Sequence, residues 1–453
     1  MQIEEIKLKN FRCFEDISIN TSDITLLTGA NSSGKSSLMY GILGAIQSRE
    51  FPFQFSPNGK YIKMGDYAEI VHNHNNNSDI TIEFKFKNGE RHEHITSVWG
   101  ADKTNNLPIL KSLTATSDHY NLQIEKIRKY DLKFQYHPEN DPNYNYRNPD
   151  FLNKIFKSFD KVFSDIEKDE NKIKDKDDAN SFLKRYSNQK TEIEFKFTKL
   201  SDLESVVKSK GNFYLDTTLT SISKIFNSFD DRINYISSFR LYPERTYYET
   251  SKLNLKVGKF GENYEDQIIA WEGKNDPKYK ELLTIMKDIG LFYEIKTKRL
   301  DGGRFEILVR NKKNGIWSAL SDVGFGISQF LPIIVADLQL GKKSTLFIAQ
   351  PEIHLHPKIQ AQFADYIIKQ IKESDKRYMI ETHSEYLINR IRLAITEEKM
   401  NESQVRTYYI ENNGQKTKKY NLEFLKNGQI KGAPKGFFDT YMLDVMNIAI
   451  SAN

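Results

Sequence analysis

Gly29-Ala30-Asn31-Ser32-Ser33-Gly34-Lys35-Ser36 is the stretch of sequence on which the fold depends. It matches the pattern G-x-x-x-x-G-K-[S/T] in full, and the flanks that this pattern requires are present: residues 24–28 form an apolar run typical of a strand, and residues 37–46 have a helical pattern. Glycines let such a loop turn so that successive backbone N–H groups and the start of the helix point at one anion. The stretch predicts a phosphate cradle that binds a nucleoside triphosphate, rather than a Gly/Ser-rich turn that caps an ordinary helix.

The residues of the cradle have distinct predicted roles. Lys35 adds a mobile positive charge for the β- and γ-phosphates, and the hydroxyl of Ser36 is placed to ligate Mg²⁺. Upstream, Arg12 lies where an arginine could reach the nucleotide, but a solvated arginine at the end of a strand is equally consistent with its position. The predicted nucleotide-binding residues of the cradle are Gly29, Asn31, Ser32, Ser33, Gly34, Lys35, Ser36 and Ser37.

The composition excludes several classes of protein. The 453 residues include 66 Lys and Arg against 61 Asp and Glu, and a net charge of +5 over this length does not indicate nucleic-acid binding. Cys13 is the single cysteine of the sequence, which excludes intramolecular disulfides and zinc sites built from several cysteines. No apolar run approaches the roughly 18–20 residues of a membrane span, and the N-terminus has no signal-peptide pattern. We expect a soluble, cytoplasmic protein that contacts no membrane.

The order of the patterns predicts an α/β fold with two lobes and an insertion. Residues 1–100 are interpreted as an N-terminal lobe with a mixed or antiparallel sheet, because residues 79–87 alternate strictly and end in a turn. Residues 235–453 return to apolar segments and predict a C-terminal lobe with a parallel core sheet flanked by helices, followed by a C-terminal helix.

Between the lobes, residues 101–234 are polar and rich in Asn and Lys, and we predict a mainly helical inserted arm. Helix-like segments lie at 151–163 and 221–229, with one alternating strand at 192–197. The charge-dense run at 167–178 is most simply a solvated surface, and alternatively a partner-binding site.

A second glycine-rich segment precedes an apolar helical pattern in the C-terminal lobe. Like the cradle, this segment combines glycines, a hydroxyl group and the start of a helix. It therefore predicts a second surface that faces phosphate. A buried helix with a glycine-rich entry is the alternative. The nucleotide-binding candidates in this segment are Gly324, Gly326, Ser328 and Gln329.

Two further strand-to-helix transitions follow, with polar residues at each strand end. A predicted strand at 344–348 leads to residues 349–357, and a strand at 378–380 leads to residues 381–384. In a parallel α/β sheet the carboxyl ends of the strands carry the chemistry, so His383 is predicted to touch a γ-phosphate unless it caps the following helix. Helices in this lobe are predicted at 277–289, 330–340 and 385–396.

Four segments, in this order, resemble the ABC-type ATPase head of the SMC, Rad50 and RecF proteins. They are the cradle, Gly324-Phe-Gly-Ile-Ser-Gln329 (the signature segment), residues 349–357 (the tip) with Pro351-Glu-Ile-His-Leu-His-Pro357, and Glu381-Thr-His-Ser384 (the switch). The resemblance is closest to the overcoming-lysogenization-defect (OLD) ATPases and their relatives in bacterial antiphage systems such as Septu, retron-associated ATPases and PARIS.

The resemblance covers residues 1–50 and 235–453. Within it, Phe11-Arg-Cys-Phe14 and the tail from Pro434 to Asp439 resemble the start and the end of the subgroup that lacks a fused nuclease. The combined motifs are specific for an ABC-type ATPase and much weaker for a particular biological system.

This resemblance implies ATP and Mg²⁺ as ligands and a homodimer or higher homo-oligomer as the assembly. In such heads the cradle of one subunit meets the signature segment of another, so that two ATP molecules lie between paired heads. Lys35 would then face the partner subunit's Gly326 and the partner subunit's Ser328. Burying the negative charge of ATP between protein surfaces requires donors from both sides.

One departure from the family pattern concerns the tip. The family has an acidic residue that holds Mg²⁺ and then a residue that polarises the attacking water, whereas this chain has Ala349 and Gln350. We expect ATP to bind but to be hydrolysed poorly. Two interpretations are open, a natural ATP-gated switch or an alanine substituted to trap ATP, and we favour the second because Pro351-Glu352 follows the pattern.

The catalytic candidates are Gln350, Glu352 and His383, with a supporting or interface role as the alternative for Glu352. Our first functional hypothesis is an ATPase that regulates a separate effector protein, such as a nuclease, in phage defence by analogy to the family. The alternative is a DNA-binding repair or recombination ATPase of the RecF or Rad50 type, in which nucleic acid would be the partner.

Overall fold

The computed structural model describes residues 2–88, 91–118, 120–128, 131–138, 191–196, 213–249, 256–434 and 437. Three predicted features lie outside these residues: the helix at 151–163, the charge-dense run at 167–178 and the C-terminal helix beyond residue 437.

The strands of the described residues are β1 (Gln2–Phe11), β2 (Phe14–Asn20), β3 (Ile24–Gly29), β4 (Ile80–Asn88), β5 (Arg91–Ala101), β6 (Pro108–Ser117), β7 (Tyr120–Arg128), β8 (Asp131–Pro138), β9 (Thr191–Lys196), β10 (Ile233–Ile236), β11 (Tyr247–Tyr248), β12 (Glu294–Leu300), β13 (Arg304–Arg310), β14 (Ser318–Ala319), β15 (Thr345–Ala349), β16 (Arg377–Glu381), β17 (Val405–Asn412), β18 (Thr417–Phe424) and β19 (Ile430–Lys431). The α-helices are α1 (Lys35–Gln47), α2 (Tyr67–Ile70), α3 (Phe213–Arg232), α4 (Tyr264–Gly273), α5 (Pro277–Ile289), α6 (Phe325–Gln339), α7 (Pro357–Ser374) and α8 (Glu385–Thr396).

The core sheet brings the functional loops together. Its strand order is β10-β15-β16-β3-β17-β18-β19, in which the first five strands run parallel and the last two are antiparallel additions at one edge. Because parallel neighbours run in the same direction, β3, β15 and β16 end at the same edge of the sheet. The cradle, the tip and the switch follow these three strands and lie at that edge.

Helices cover both faces of the core sheet. On one face, Leu27 of β3, Phe347 of β15 and Met379 of β16 share a hydrophobic core with buried residues of α1. On the other face, Leu26 and Ile348 belong to a second core with α6, α7 and α8. Successive residues of a strand point to opposite faces, so these near-continuous apolar strands are buried on both sides. The predicted parallel core sheet flanked by helices is confirmed.

The second large sheet is antiparallel, with the strand order β2-β1-β4-β5-β6-β7-β8-β9. The alternating sequence of β4 places Ile82, Phe84 and Phe86 in the core that α1 shares. The antiparallel N-terminal sheet predicted from residues 79–87 is confirmed.

The described part of the predicted arm differs from the mainly helical expectation. β6, β7 and β8, at residues 108–117, 120–128 and 131–138, extend the antiparallel sheet, and β5 continues through the expected boundary at residue 100. The physical reason is an apolar period of two: Leu113 and Ala115 on β6, and Leu122 and Ile124 on β7, are buried in the sheet's core. The helix predicted at 221–229 lies within α3.

A small sheet and two helices complete the C-terminal lobe. β13 pairs with β11, β12 and β14, and the predicted β12–β13 hairpin is confirmed. Asp276 caps the start of α5 by accepting a hydrogen bond from the N–H of Lys278, and Gly290 follows the helix in the left-handed conformation. Among the described residues, no helix is both long and apolar enough to cross a membrane.

Candidate nucleotide-binding site

The cradle joins the end of β3 to the start of α1. Its backbone is left-handed at Gly29 (φ 137°), Ser32 (φ 59°) and Gly34 (φ 108°). A Cβ atom on Gly29 would lie 2.0 Å from the carbonyl oxygen of Ile410, and one on Gly34 would lie 2.5 Å from the Sγ atom of Cys13. Both positions require glycine, so the spacing of the motif follows from the geometry of this loop.

Lys35 is folded back onto the cradle. Its side chain is buried, and Nζ donates hydrogen bonds to the carbonyl oxygens of Gly29 at 3.0 Å and Ala30 at 2.6 Å. Burial lowers the pKa of Lys35, while the carboxylates of Glu381 and Glu352 raise it. Phosphate oxygens could replace the two carbonyl partners of this amine with stronger, charge-assisted hydrogen bonds.

An open cleft adjoins the cradle. Ser33 Oγ is buried there without a hydrogen-bond partner in the part of the chain that the structure describes, a costly arrangement that a polar ligand would relieve. Among the described residues Arg12 does not line the cleft, and its guanidinium lies 5.6 Å from the centre of the Tyr40 ring. The cleft is lined by Cys13, Asn31, Ser32, Ser33, Gly34, Lys35, Ser36, Ser37, Gln350 and Glu381.

Glu381 is a site residue that sequence reasoning missed. Ser36 Oγ donates a hydrogen bond of 2.8 Å to Glu381 Oε2. Burial raises the pKa of Glu381, whereas the Ser36 hydrogen bond and the nearby Lys35 ammonium lower it. The motif pattern indicates Glu381 only as the first residue of the switch, with no role of its own. Its position at the end of a core strand, beside a strand that ends without an acid, is the signal that could have identified it.

The tip places Gln350 at the cleft in a strained backbone conformation. Gln350 has φ 48°, its N–H donates to the carbonyl of Glu381 at 2.7 Å, and its own carbonyl accepts from Arg240 Nη2 at 3.3 Å. Ala349, just before it, is buried and brings no oxygen to the site. Hydrogen bonds on both sides of the strained residue keep Gln350 in place. Arg240 was also missed, because nothing in the sequence separates it from the exposed Arg245.

Glu352 supports the switch. Its carboxylate accepts hydrogen bonds from Thr382 Oγ1 at 2.9 Å and from the backbone N–H of His383 at 2.6 Å. Burial raises the pKa of Glu352, although these hydrogen bonds and the charge of Arg240 lower it. The bonding favours the supporting role that was the alternative for this residue, and its catalytic role stays a prediction.

His383 is exposed in the switch, and the charge of Lys35 in the cradle acts on its imidazole. Partial burial and the charge of Lys35 lower the pKa of His383, so the ring is neutral at pH 7. The alternative role of His383 as a helix cap does not apply, since Ser384 is the N-cap of α8 and accepts from the N–H of Leu387 at 3.0 Å. A neutral imidazole here could hydrogen-bond a phosphate oxygen.

The signature segment begins α6 and lies apart from the cleft: none of its described residues lines it. Gly324 is exposed, and a Cβ atom built there would meet nothing within 4 Å. Gly326 packs against the tip, because its Cβ atom would lie 2.5 Å from the carbonyl oxygen of His354. The segment therefore has one open face and one face in contact with the tip.

Ser328 and Gln329 are bonded inside the chain. Ser328 is buried, and its Oγ donates to the carbonyl of Phe325 at 2.9 Å. The buried amide of Gln329 donates to the carbonyl oxygens of Arg240 at 3.3 Å and Leu241 at 3.2 Å. Within one chain both side chains position α6, and their predicted contact with nucleotide stays a prediction.

The donor set at the cradle suits Mg²⁺. The ion prefers oxygen ligands and keeps several waters, and Ser36 would hold it with its hydroxyl beside the Glu381 carboxylate. Position 349, where an acidic ligand is expected, provides none. Bound Mg²⁺ would neutralise phosphate charge. Among the described residues no group of three or more His, Cys, Asp or Glu side chains could hold a metal by itself, so phosphate oxygens and waters would complete the shell.

Comparisons with known proteins found one matching family model and several similar solved structures. A family model described as an AAA ATPase domain matches residues 1–388. The SMC head domain from Thermotoga maritima is 10% identical, with a TM-score of 0.38 and coverage of 93% of this chain and 100% of that chain. The SMC head domain from Pyrococcus furiosus with an extended coiled coil, bound to the C-terminal domain of ScpA, is 11% identical, with a TM-score of 0.38 and coverage of 99% of both chains. No curated protein matches the sequence significantly.

Proposed function

This chain belongs to the family of AAA ATPase domains, and on that basis we propose that it binds ATP with Mg²⁺ at the cradle and that bound ATP joins two copies of the chain. Membership of this family makes the chain a nucleotide-binding ATPase. The proposal adds that the site is composite, with the cradle of one subunit and the signature segment of the other on either side of the nucleotide.

The observation that carries the proposal is the separation of the two phosphate-facing segments. Within the described residues, the cleft at the cradle is lined from β3–α1, the tip and the switch, and no residue of the signature segment lines it. The N-terminus of α6 is open at Gly324. The start of a helix is a site for an anion, and a nucleotide held in the cradle of a second chain would bring its phosphates to it.

Exposed apolar side chains beside the signature segment support the same proposal. Tyr242 is 72% exposed and Phe239 is 62% exposed, and the Tyr242 ring lies 4.7 Å from the ring of Phe325. Exposed aromatic side chains of this kind are typical of a protein interface. We therefore assign the pairing surface to the cleft of one copy and the Gly324–Tyr242 surface of the other.

Gly324 offers a sharp test of this pairing. Gly324→Tyr adds a bulky side chain where the single chain has open space, so folding should be retained while a partner is kept away. Gly341→Tyr is the matched control, because Gly341 also has nothing within 4 Å and lies beyond the other end of α6. Mass measured by light scattering should double from 52.9 kDa with ATP and Mg²⁺ for the native chain and for Gly341→Tyr, but not for Gly324→Tyr.

Two results would contradict the composite site: a native mass that ATP leaves unchanged, or a Gly324→Tyr variant that doubles in mass like the control. A thermal unfolding curve for each variant separates lost pairing from lost folding.

We propose further that the nucleotide state of this ATPase controls a separate effector protein, a nuclease in bacterial antiphage defence. The support is the order and the sequence of the four motifs. They resemble those of ATPases from such systems, in the subgroup that lacks a fused nuclease. Expression in a bacterial host together with the neighbouring gene should lower phage plaque counts, and Lys35→Ala should abolish the protection. DNA cleavage by the purified chain alone would refute the separate effector.

A further inference from the structure

Ala349 and Glu381 stand side by side on the core sheet. They are register partners at the ends of the parallel strands β15 and β16. Register partners in parallel strands direct their side chains to the same face of a sheet. That face is the one covered by α1, because Phe347 and Met379, two residues earlier on each strand, belong to the core that includes α1. Glu381 thus lies on the cradle's face, one strand away from the position where the acidic residue is missing.

Glu381 also contacts the cradle residue that would bind Mg²⁺. The Ser36 hydroxyl donates to the Glu381 carboxylate at 2.8 Å, and both side chains line the same cleft. Ala349 brings no side-chain oxygen to this level of the sheet. Neighbouring strands are about 4.8 Å apart, so an acid at position 349 and one at position 381 would repel each other over a short distance. A single carboxylate, at position 349 or at position 381, could therefore supply the acidic group of the Mg²⁺ site.

A purely structural role for Glu381 explains the contact less well. Acidic groups stabilise the start of a helix when they interact with its free N–H groups. Here the N-cap of α1 is Gly34, no side chain caps the helix, and the Glu381 hydrogen bond comes from a hydroxyl. Burying a carboxylate against one neutral hydroxyl and an ammonium that already has two carbonyl partners is costly. A divalent cation beside it would offset that cost.

We propose that the Glu381 carboxylate replaces the acidic group missing at Ala349 and forms, with Ser36, the protein side of the Mg²⁺ site. The inference rests on the proposed function, because it presupposes that nucleotide binds at the cradle. It removes the reason for expecting poor hydrolysis, since that expectation depended on the absence of any carboxylate at this edge. It also makes Ala349 compatible with a natural sequence.

The test measures metal binding directly. Mn²⁺ is titrated into the full chain with ADP present, and free Mn²⁺ is followed by electron paramagnetic resonance. Glu381→Gln keeps the size of the side chain and a hydrogen-bond acceptor for Ser36 but removes the charge, and its Mn²⁺ affinity should fall about tenfold or more. Glu385→Gln, four residues further along the chain, is the control and should bind as the native protein does. Fluorescent ADP binding in EDTA should change less than about twofold in each variant.

Rescue distinguishes a metal ligand from a structural acid. Ala349→Asp in the Glu381→Gln background returns a carboxylate to the neighbouring strand, and it should restore most of the Mn²⁺ affinity. If Glu381→Gln does not fold, Glu381→Asp keeps the charge while withdrawing it by one methylene from Ser36, and a reduced Mn²⁺ affinity is again expected. Native Mn²⁺ affinity in the folded Glu381 variant overturns this inference alone. A native chain that binds no nucleotide in EDTA or Mn²⁺ overturns the proposed function and this inference with it.

Discussion

Replacing Arg240 by methionine should destabilise the chain by about 2–3 kcal/mol. The Arg240 side chain is 1% exposed and donates to the carbonyl oxygens of Ser237 at 3.2 Å and Gln350 at 3.3 Å. Methionine fills much of the same space but has no donor, so two partly buried carbonyls lose their partner at about 1–3 kcal/mol each. The variant no longer buries a charged guanidinium, and the absence of that desolvation cost offsets part of this loss. The combined loss of about 2–6 kcal/mol is therefore expected to be reduced to about 2–3 kcal/mol.

The burial of this arginine has a second consequence. Burial lowers the pKa of Arg240 to about 10, although the carboxylate of Glu352 raises it. The guanidinium is still protonated at pH 7, so Arg240→Met also removes from the partly buried Glu352 a positive charge that lowers its pKa. Gln350 loses the bond to its carbonyl and should become less well positioned at the cleft, which we expect to lower the ATPase rate together with stability.

Arg245→Met is the matched control, because Arg245 lies five residues further on and is exposed. Its side chain is 67% exposed and pairs with Asp322 at 2.7 Å, and surface ion pairs of this kind contribute about 0–1 kcal/mol. Urea unfolding followed by circular dichroism measures both variants. Equal losses for the two variants, or a loss below about 0.5 kcal/mol for Arg240→Met, would refute the reasoning.

Three further predictions concern the tip, the cradle and the switch. Gly326→Ala should cost about 1–3 kcal/mol, since its Cβ atom would lie 2.5 Å from the His354 carbonyl oxygen, and a thermal midpoint equal to that of Gly341→Ala would contradict this. Lys35→Ala should abolish ATP-dependent doubling of mass as well as hydrolysis, so a variant that still pairs in ATP would show that the cradle amine is dispensable for assembly. Burial raises the pKa of Glu352 above its ordinary 4.5, so the neutral acid is favoured in the fold, and stability present below pH 4.5 is lost as the pH rises through the folded pKa. The thermal midpoint of the native chain relative to that of Glu352→Gln should therefore fall as the pH rises above 4.5, and a pH-independent difference would count against the assignment.

Local signals in the sequence predicted several elements to the residue. The helix at 277–289 is confirmed because its ends are marked by chemistry: Asp276 caps the start, Pro277 takes the first turn and Gly290 ends it in the left-handed conformation. The helix at 385–396 is likewise confirmed, with Ser384 as its N-cap. Such signals act within a few residues of each other, so the sequence displays them directly.

Features that depend on contacts between distant segments were not visible in the sequence. The strands β6, β7 and β8 were predicted to be part of a helical arm because these segments are rich in polar residues. Their apolar residues recur with a period of two, and they are buried only because the antiparallel sheet continues into these strands. The pairing of Ala349 with Glu381 is also a matter of register between two strands. In the sequence alone, Ala349 is a departure from the family pattern of the tip, and Glu381 is the first residue of the switch with no predicted role. Their pairing in the sheet is what suggests that the Glu381 carboxylate takes the place of the acid missing at Ala349.

The same loop connects the two segments that nucleotide would join. At one end of it, Gln350 lines the cleft and its carbonyl is held by Arg240. At the other end, His354 packs its ring 4.6 Å from that of Phe325 and its carbonyl against Gly326. Because Gln329 of α6 donates to the carbonyl of Arg240, the loop and the signature helix are tied at two points.

We therefore expect a shift of the tip to move the start of α6. In a close-packed interior, small displacements are transmitted because no free volume absorbs them. It follows that loss of Arg240 should weaken two properties together, nucleotide hydrolysis at the cradle and pairing through the signature segment. A variant with the Arg240→Met change that loses hydrolysis but pairs with native affinity would show that the tip and α6 move independently.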